Sequence, residues 1–382
     1  MKFLIVAPRF HTNLYYRVKS LQNEGHMVVV VVLYKGKSEF YEDIAVKQIE
    51  LSQLTKIFIK TISLFKKNKL KSSLELRTQA PNYKLRKTIK SYKPDVIILK
   101  AYQNMLAIKT LILAKRFKVK VLMLTQTEFT HIKNSKFLFK LNIKLFKFLK
   151  VFAYITPIKS NFDKFKAFGI ENIYYIPFVF PTTESKKFKP NSHLNTIEQE
   201  QHIKIISIGK FVKRKDQILL IKSIHKLLKQ NYKIELNLYG EKADKNYFNE
   251  INSYIKNNKL QKNINIFTNI PYKTLLEEYK EHDIFVLPSY SEPAAYSPVE
   301  AMSNGLPVIC SDQNGTKCYI EDGANGFIFK SKNLNDLTEK IKLLISDNNR
   351  LKLFSKNSLY LVAQNHKLKN FESQIIELLA IK

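Results

Sequence analysis

Glu292 and Glu300 stand with seven residues between them in the run S-E-P-A-A-Y-S-P-V-E-A-M-S-N-G-L-P-V-I, residues 291–309. Upstream, I-G-K-F-V-K-R-K-D, residues 208–216, sets Lys210 and Lys215 behind Gly209. Glycine permits close backbone approach to a ligand, and ammonium groups meet phosphates as point charges, so this run has the parts of a phosphate loop. Lysines after a strand are also common surface residues. Glu300 has a local explanation: Ser297 as N-cap, Pro298 at the first helical position and Glu300 three residues on complete an S-x-x-E capping box. Glu292 falls in the loop before it, where no cap needs a carboxylate.

The elements that must position these groups can be read around them. Residues 283–287, D-I-F-V-L closed by Pro288, form a short buried strand; Gly305 stops the helix begun at Ser297; residues 306–310 form the next strand. The Glu292 loop therefore leaves the carboxyl end of a strand and enters a helix N-terminus, where open α/β sheets take their ligands and free N–H groups meet phosphate. Gly240 in L-Y-G-E and the triplet Asn314-Gly315-Thr316 also fall at strand ends, though the triplet reads equally as a plain turn. The four places together describe a nucleotide-diphosphate pocket.

Behind them runs an alternation of strands at 203–208, 234–239 and 264–267 with helices at 217–229, 247–257 and 273–280. The first half has the same rhythm: a strand at 2–7, a helix at 15–24 ended by Gly25, and the continuous apolar run M-V-V-V-V-V-L at 27–33 that suits a parallel sheet. A helix at 84–92 leads through Pro94-Asp95 into V-I-I-L, and 119–124 gives another strand. The expected fold class is α/β with two doubly wound, Rossmann-like domains. The expected domains are 1–180, a polar Pro-punctuated linker at 181–201, 202–365, and a C-terminal helix at 366–382 with the option of crossing back to the first domain.

The run from 282 to 309, H-D-I-F-V-L-P-S-Y-S-E-P-A-A-Y-S-P-V-E-A-M-S-N-G-L-P-V-I, followed by E-D-G-A-N-G-F-I-F, resembles the signature of the retaining GT-B glycosyltransferases of family 4. The shared features are the paired glutamates, E-A-M before a glycine, the L-P-V strand and the D-G-x-N-G-F turn at 322–327. I-G-K-F-V-K-R-K-D is similar to the family's G-R-L followed by K-G, with Lys210 in place of Arg and Lys215 matching the family's lysine. The resemblance is strong over 203–329 and thins in the first half to general features. It implies two Rossmann-like domains facing across a cleft, with the second holding a nucleotide-sugar donor through Gly209, Lys210, Lys215, Gly240, Glu292, Ala295, Tyr296, Ser297 and Glu300. Glu300 would hold ribose hydroxyls, Glu292 the donor sugar near the reacting centre, and the lysines the departing diphosphate, whose developing charge fixed cations stabilise. Glu292, Lys210 and Lys215 are thereby the catalytic candidates, with no cofactor and no metal. The sequence has no D-x-D and no metal-spaced cluster of His, Cys and Asp.

The chain also departs from that pattern. The loop after the first strand reads Arg9-Phe10-His11-Thr12-Asn13 in place of Gly-Gly, and Gln126 or Thr127 stands where the family carries a histidine, with His131 later. His11, Gln126 and His131 are the candidates for the acceptor side. P-A-A-Y replaces G-F-G after Glu292, which puts the shape of the sugar pocket in question.

Net charge is +32, from 64 Lys and Arg against 32 Asp and Glu, and residues 1–180 carry 34 basic and 10 acidic residues, so +24 of it lies in the first half. Such asymmetry suits an anionic partner, nucleic acid or an anionic membrane surface; a Lys-, Asn- and Ile-rich composition is the plain alternative. No RNP, helix-turn-helix or zinc pattern supports nucleic acid, leaving a non-catalytic nucleic-acid binder the remote alternative and a GT-B sugar-nucleotide epimerase or phosphorylase the nearer one. Residues 133–150, K-N-S-K-F-L-F-K-L-N-I-K-L-F-K-F-L-K, set lysines at 133, 136, 140, 144 and 147 beside an apolar stripe of Phe137, Leu141, Leu145 and Phe148, as in a helix lying on an anionic membrane or one packed on the first sheet. The expected place is the cytoplasm, peripheral on the inner membrane face. No apolar stretch approaches the roughly 18 uninterrupted residues of a spanning helix, the opening M-K-F-L-I-V-A-P reads as a strand, and the two cysteines, Cys310 and Cys318, are too few for a disulfide framework. The resemblance places the acceptor among lipid-linked or other cell-surface glycans of lipopolysaccharide or capsule.

Overall fold

The computed structural model describes residues 1–34, 43–63, 78–100, 104–126, 144–167, 169–181 and 202–381. The expected linker lies outside them except for Pro181, as do His131 and residues 133–143 of the expected membrane helix. The chain divides into two compact units, Met1–Pro177 with Leu368–Lys382, and Phe178–Lys367.

The first unit is built on seven strands, β1 (Lys2–Arg9), β2 (Met27–Tyr34), β3 (Val46–Gln48), β4 (Val96–Leu99), β5 (Lys120–Leu124), β6 (Ala153–Thr156) and β7 (Ile173–Tyr175). Their order is β3-β2-β1-β4-β5-β6-β7 and every pairing is parallel. The valine run of β2 can form here because a parallel sheet covered on both faces wants apolar residues at successive positions. Val31 and Leu33 sit in one core with Leu4, Val6, Ile97, Leu99, Met123 and Phe165. The Thr12–Asn23 helix follows β1 and is ended by Gly25 at φ +78°, a conformation that suits glycine. Asn104 caps the Met105–Arg116 helix, accepting from Ala107 N–H at 2.9 Å. The Leu368–Ala380 helix belongs to this unit and packs on Thr12–Asn23: Arg17 lies over the Phe371 ring, Glu372 N–H donates to Ser20 Oγ at 3.0 Å, and His26 Nε2 meets Glu372 Oε1 at 2.8 Å.

Of the expected amphipathic segment, 144–150 is described. Phe146 and Leu149 are buried in the first core and Leu145 packs against it, while Phe148 is 69% exposed with Lys115 Nζ 4.1 Å above its ring. This end of the segment packs on the sheet and leaves a basic edge with one exposed aromatic ring.

The second unit carries β8 (Ile203–Ile208), β9 (Ile234–Gly240), β10 (Ile264–Thr268), β11 (Ile284–Leu287), β12 (Val308–Ser311) and β13 (Gly326–Phe329), all parallel, in the order β10-β9-β8-β11-β12-β13. Its own core joins Ile205, Leu220, Leu236, Ile251, Ile284, Ile309 and Phe329. Cys310 is fully buried in β12, where a thiol packs as a small apolar group. In each sheet the order reverses once, between β1 and β4 and between β8 and β11. At such reversals the loops beyond the strand ends diverge and open a crevice for ligand.

Candidate active site

The loops after β8 and β11 flank the reversal of the second sheet, and all the charged candidates of that unit lie on them or beside them. After β8 the chain passes Gly209 and Lys210, tucks in Phe211, and makes a 3-10 turn over Lys213–Lys215 before the Gln217–Leu228 helix. Gln217, itself buried, holds the loop from below, donating Nε2 to the carbonyls of Gly209 at 3.2 Å and Lys210 at 3.1 Å. Gly209 leaves room for Lys215, because a Cβ there would stand 3.3 Å from the Lys215 side-chain carbons. At Gly240 a Cβ would meet the Gly209 carbonyl oxygen at 2.1 Å, so this glycine lets the ends of β8 and β9 close on each other.

Lys215, 9% exposed, runs into the site and places Nζ 2.8 Å from Oε2 of Glu292, which is 6% exposed. Arg214 donates Nη1 to the same carboxylate oxygen. The two loops are tied a second time through the backbone, Tyr290 N–H to Arg214 carbonyl at 2.9 Å. Glu292 itself is fixed from the other side by a parallel bridge to Asn314: its N–H donates to Gln313 at 3.1 Å and its carbonyl accepts from Gly315 at 2.9 Å. Asn314-Gly315-Thr316 thus begins a 3-10 helix, Gly315–Tyr319, with Asn314 Oδ1 accepting from Thr316 N–H at 3.1 Å, and its part is to hold the Glu292 backbone. Burial pushes the Glu292 carboxyl up, but the charges and hydrogen bonds of Lys215 and Arg214 outweigh it and hold the group below the usual carboxylate range. Glu292 is therefore an ionised carboxylate between two cations, one buried and one half-exposed. Lys210, half-exposed, pairs with Glu241 at 2.6 Å just beyond Gly240.

The capping box expected at Ser297 and Glu300 does not form. The helix spans Ser297–Ser303, the cap position falls on Tyr296, and no side chain caps it. Glu300, 4% exposed, turns inward and accepts from Tyr272 Oη at 2.6 Å and Tyr279 Oη at 2.7 Å. A buried carboxylate takes two hydroxyl donors in preference to an N–H that solvent can serve. Burial pushes the Glu300 carboxyl above its ordinary value, with the two tyrosines opposing. A buried carboxylate already addressed by two hydroxyls is chemically suited to a third, such as a diol.

Tyr296 spends its hydroxyl on the Val179 carbonyl and packs its ring against Phe178 at 5.1 Å and Phe180 at 6.2 Å, so it anchors the loop within the second unit. Ala295 and Ser297 are buried on either side of it. His11 and Gln126 lie in the first unit, His11 exposed at the start of the Thr12–Asn23 helix and Gln126 beyond β5. Three partners escaped the sequence reading: Arg214, whose only signal was its place in a K-R-K run behind a strand, and Tyr272 and Tyr279, which carry no local signal.

Residues 189–359 match the family model described as glycosyl transferases group 1. The chain is 27% identical over 197 residues to the poly(glycerol-phosphate) alpha-glucosyltransferase of Bacillus subtilis, covering 51% of this chain and 28% of that protein. It is 28% identical over 191 residues to the poly(ribitol-phosphate) alpha-N-acetylglucosaminyltransferase of Staphylococcus aureus, covering 49% and 35%. The chain thus spans about a third of the length of these curated relatives. Among solved structures, Anabaena HepE in complex with UDP superposes with a TM-score of 0.75 at 15% identity, over 100% of both chains. Residues 189–359 are thus similar to the glycosyl transferases group 1 family, and the two parallel-sheet Rossmann-like units have the GT-B fold.

Proposed function

We propose that the protein is a retaining glycosyltransferase of family 4 that moves a sugar from a nucleotide-diphosphate donor to a glycan or lipid-linked acceptor in cell-surface polysaccharide synthesis. The observation that carries the reading is the cluster of Lys215, Arg214 and Glu292 at the reversal of the second sheet, with Glu300 nearby in sequence on the next helix. In the reaction the anomeric carbon exchanges its bond to a diphosphate oxygen for a bond to an acceptor oxygen, and the acceptor hydroxyl's proton passes to the departing diphosphate. Lys210, Arg214 and Lys215 neutralise the departing diphosphate, a preorganised charge set of the kind that supplies most of such rate enhancements. Glu292, ionised and fixed, faces the donor sugar, where its charge opposes the positive character that develops at the anomeric carbon. Glu300 accepts from the ribose hydroxyls. Lys210, Arg214 and Lys215 take the part that a divalent metal would take on the diphosphate, so turnover calls for no metal.

Two further points belong to the same reading. The relatives named above act, by their names, on polyol-phosphate polymers, which supports a polyanionic or lipid-linked glycan as acceptor. The charge of residues 1–180, with Phe148 exposed among Lys115, Lys144 and Lys147, supports work at an anionic membrane surface on the cytoplasmic side, and among the described residues no helix is long and apolar enough to cross a membrane. The test is incubation with labelled nucleotide sugars, with and without membrane lipid extract, in EDTA. Label appearing on lipid or glycan with the donor's anomeric configuration is expected. Interconversion of the free nucleotide sugar with no transfer would replace the reading with an epimerase.

A further inference from the structure

Glu292 and Glu300 stand on different elements, and the frames that carry them end on one short segment of the second unit. The frame of Glu300 starts at Tyr296, whose carbonyl accepts from Val299 N–H at 3.0 Å and Glu300 N–H at 3.4 Å and so opens the Ser297–Ser303 helix. The hydroxyl of the same residue donates to the Val179 carbonyl. The frame of Glu292 is the Asn314-Gly315 pair bound to its backbone, and the 3-10 helix begun there ends at Tyr319. The Tyr319 hydroxyl accepts from Phe178 N–H at 3.1 Å. Two tyrosines, one from each frame, thus grip neighbouring residues of the segment Phe178–Phe180.

That segment is a firm anchor. Phe180 N–H donates to the His366 carbonyl at 2.8 Å, and the Phe178 carbonyl, which can only accept, takes Nδ1–H of His366 at 2.7 Å. Phe178, Val179 and His366 are all buried, and the Tyr319 ring packs edge-on against His366 at 4.5 Å. Such close packing leaves the segment one position. The stretch it steadies has no regular structure to steady itself: residues 293–296 lie outside helix and strand, and the helix they enter has no side-chain cap. The offset between the two carboxylates is therefore set by the tyrosine hydroxyls.

We propose that Tyr296 and Tyr319 are positioning residues, Tyr296 for Glu300 and Tyr319 for Glu292, which register the two carboxylates against each other through the shared segment Phe178–Phe180. The inference rests on the transferase reading for what the carboxylates serve: Glu300 the ribose, and Glu292 with its two cations the diphosphate end of the donor. Without the Tyr296 hydroxyl, Glu300 shifts relative to Lys215 and Arg214, which stay tied to Glu292. A misplacement of about 1 Å in such a site costs up to about a hundredfold.

Calorimetric titration of the full chain tests it with two probes. Inorganic pyrophosphate needs the cations alone; whichever of UDP, GDP, CDP and ADP binds the wild type most tightly needs Glu300 as well. Tyr296→Phe keeps the ring against Phe178 and Phe180 and removes the hydroxyl. It should weaken the nucleotide roughly fivefold or more and leave pyrophosphate within about twofold. Tyr319→Phe should weaken both probes by similar factors, because Glu292 aims the cations. Ser223→Ala removes a buried hydroxyl bonded to Thr338 Oγ1 at 3.1 Å, and should lower the melting temperature with both affinities unchanged. A nucleotide-to-pyrophosphate affinity ratio in Tyr296→Phe equal to that of the wild type, or unaltered pyrophosphate binding in Tyr319→Phe, would overturn the positioning roles. A wild-type protein that binds pyrophosphate and none of the four nucleotides would strike the donor reading itself, and the proposal with it.

Discussion

Lys215 Nζ and Glu292 Oε2 stand 2.8 Å apart, brought together by the loops that diverge from adjacent strands β8 and β11. The pair is buried on both sides, and Arg214 shares the same oxygen from the more exposed flank. Its consequence is that one carboxylate aims two cations before any ligand arrives. A diphosphate entering the site meets charges that need no reorganisation, which is the arrangement in which electrostatic stabilisation is most effective.

Removing Lys215 should therefore act twice. Lys215→Ala takes away a charge-assisted contact worth about 1.5–3 kcal/mol to a bound diphosphate, so the dissociation constant for UDP rises roughly tenfold to a hundredfold. It also leaves Glu292 with Arg214 alone and lowers the melting temperature. Lys210→Ala, at a half-exposed pair, should weaken UDP with no measurable loss of stability. Titration calorimetry with melting curves separates the two.

Glu292→Gln should split turnover from affinity. The variant frees both cations for the diphosphate, so UDP binding holds or tightens while kcat falls by about 10²–10³ if the carboxylate faces the reacting sugar. The variant also carries a pH signature. A carboxyl held below its ordinary value stabilises the fold above the ordinary range and loses that contribution as pH falls toward the folded value. The melting temperature of Glu292→Gln should thus fall less on acidification than that of the wild type.

Glu300 lies on the opposite side of that argument. Burial raises its value, so ionisation costs stability at neutral pH and protonation sets in above the ordinary carboxylate range. If the ionised form accepts from ribose, UDP affinity should weaken on acidification in the wild type and lose that component in Glu300→Gln, whose affinity is lower throughout. Full affinity and activity in Glu300→Gln would contradict the ribose role. Tyr279→Phe, which removes one of the two hydroxyls on the buried carboxylate, should cost about 1–3 kcal/mol in a denaturant titration.

Gly240→Ala forces a methyl group onto the Gly209 carbonyl, and the relief must come from parting β8 and β9. About 1–3 kcal/mol of destabilisation is expected, as for other overpacking changes, together with weaker UDP binding because Gly209 carries the loop that aims Lys215.

The fold was legible where a single element carried its own pattern. The valines of β2 declare a strand buried on both faces, and β8 occupies the six residues its apolar run marks out, Ile203–Ile208. The three- and four-residue strands β3, β6 and β7 escaped because so few residues show no period, and Met105–Arg116 escaped because burial on several sides blurs its apolar stripe. At the site, Glu292 stood out because nothing local needed it. The capping box at Glu300 does not form for the converse reason: Ser297 and Pro298 supply a complete local signal, while the hydroxyls that engage the carboxylate come from Tyr272 and Tyr279, across a helix and a strand. Arg214 looked like one more surface cation in a lysine-rich chain until β11 brought Glu292 to it.

The measurement that tests the central claim most directly is equilibrium binding of UDP, GDP, CDP and ADP, each against its monophosphate, to the wild type and to Arg214→Ala/Lys215→Ala. One diphosphate should bind at least tenfold more tightly than its monophosphate, because the cluster addresses the second phosphate, and that preference should collapse in the double variant while circular dichroism shows a folded chain. No diphosphate binding at millimolar concentration, or a preference that survives the loss of both cations, would contradict it.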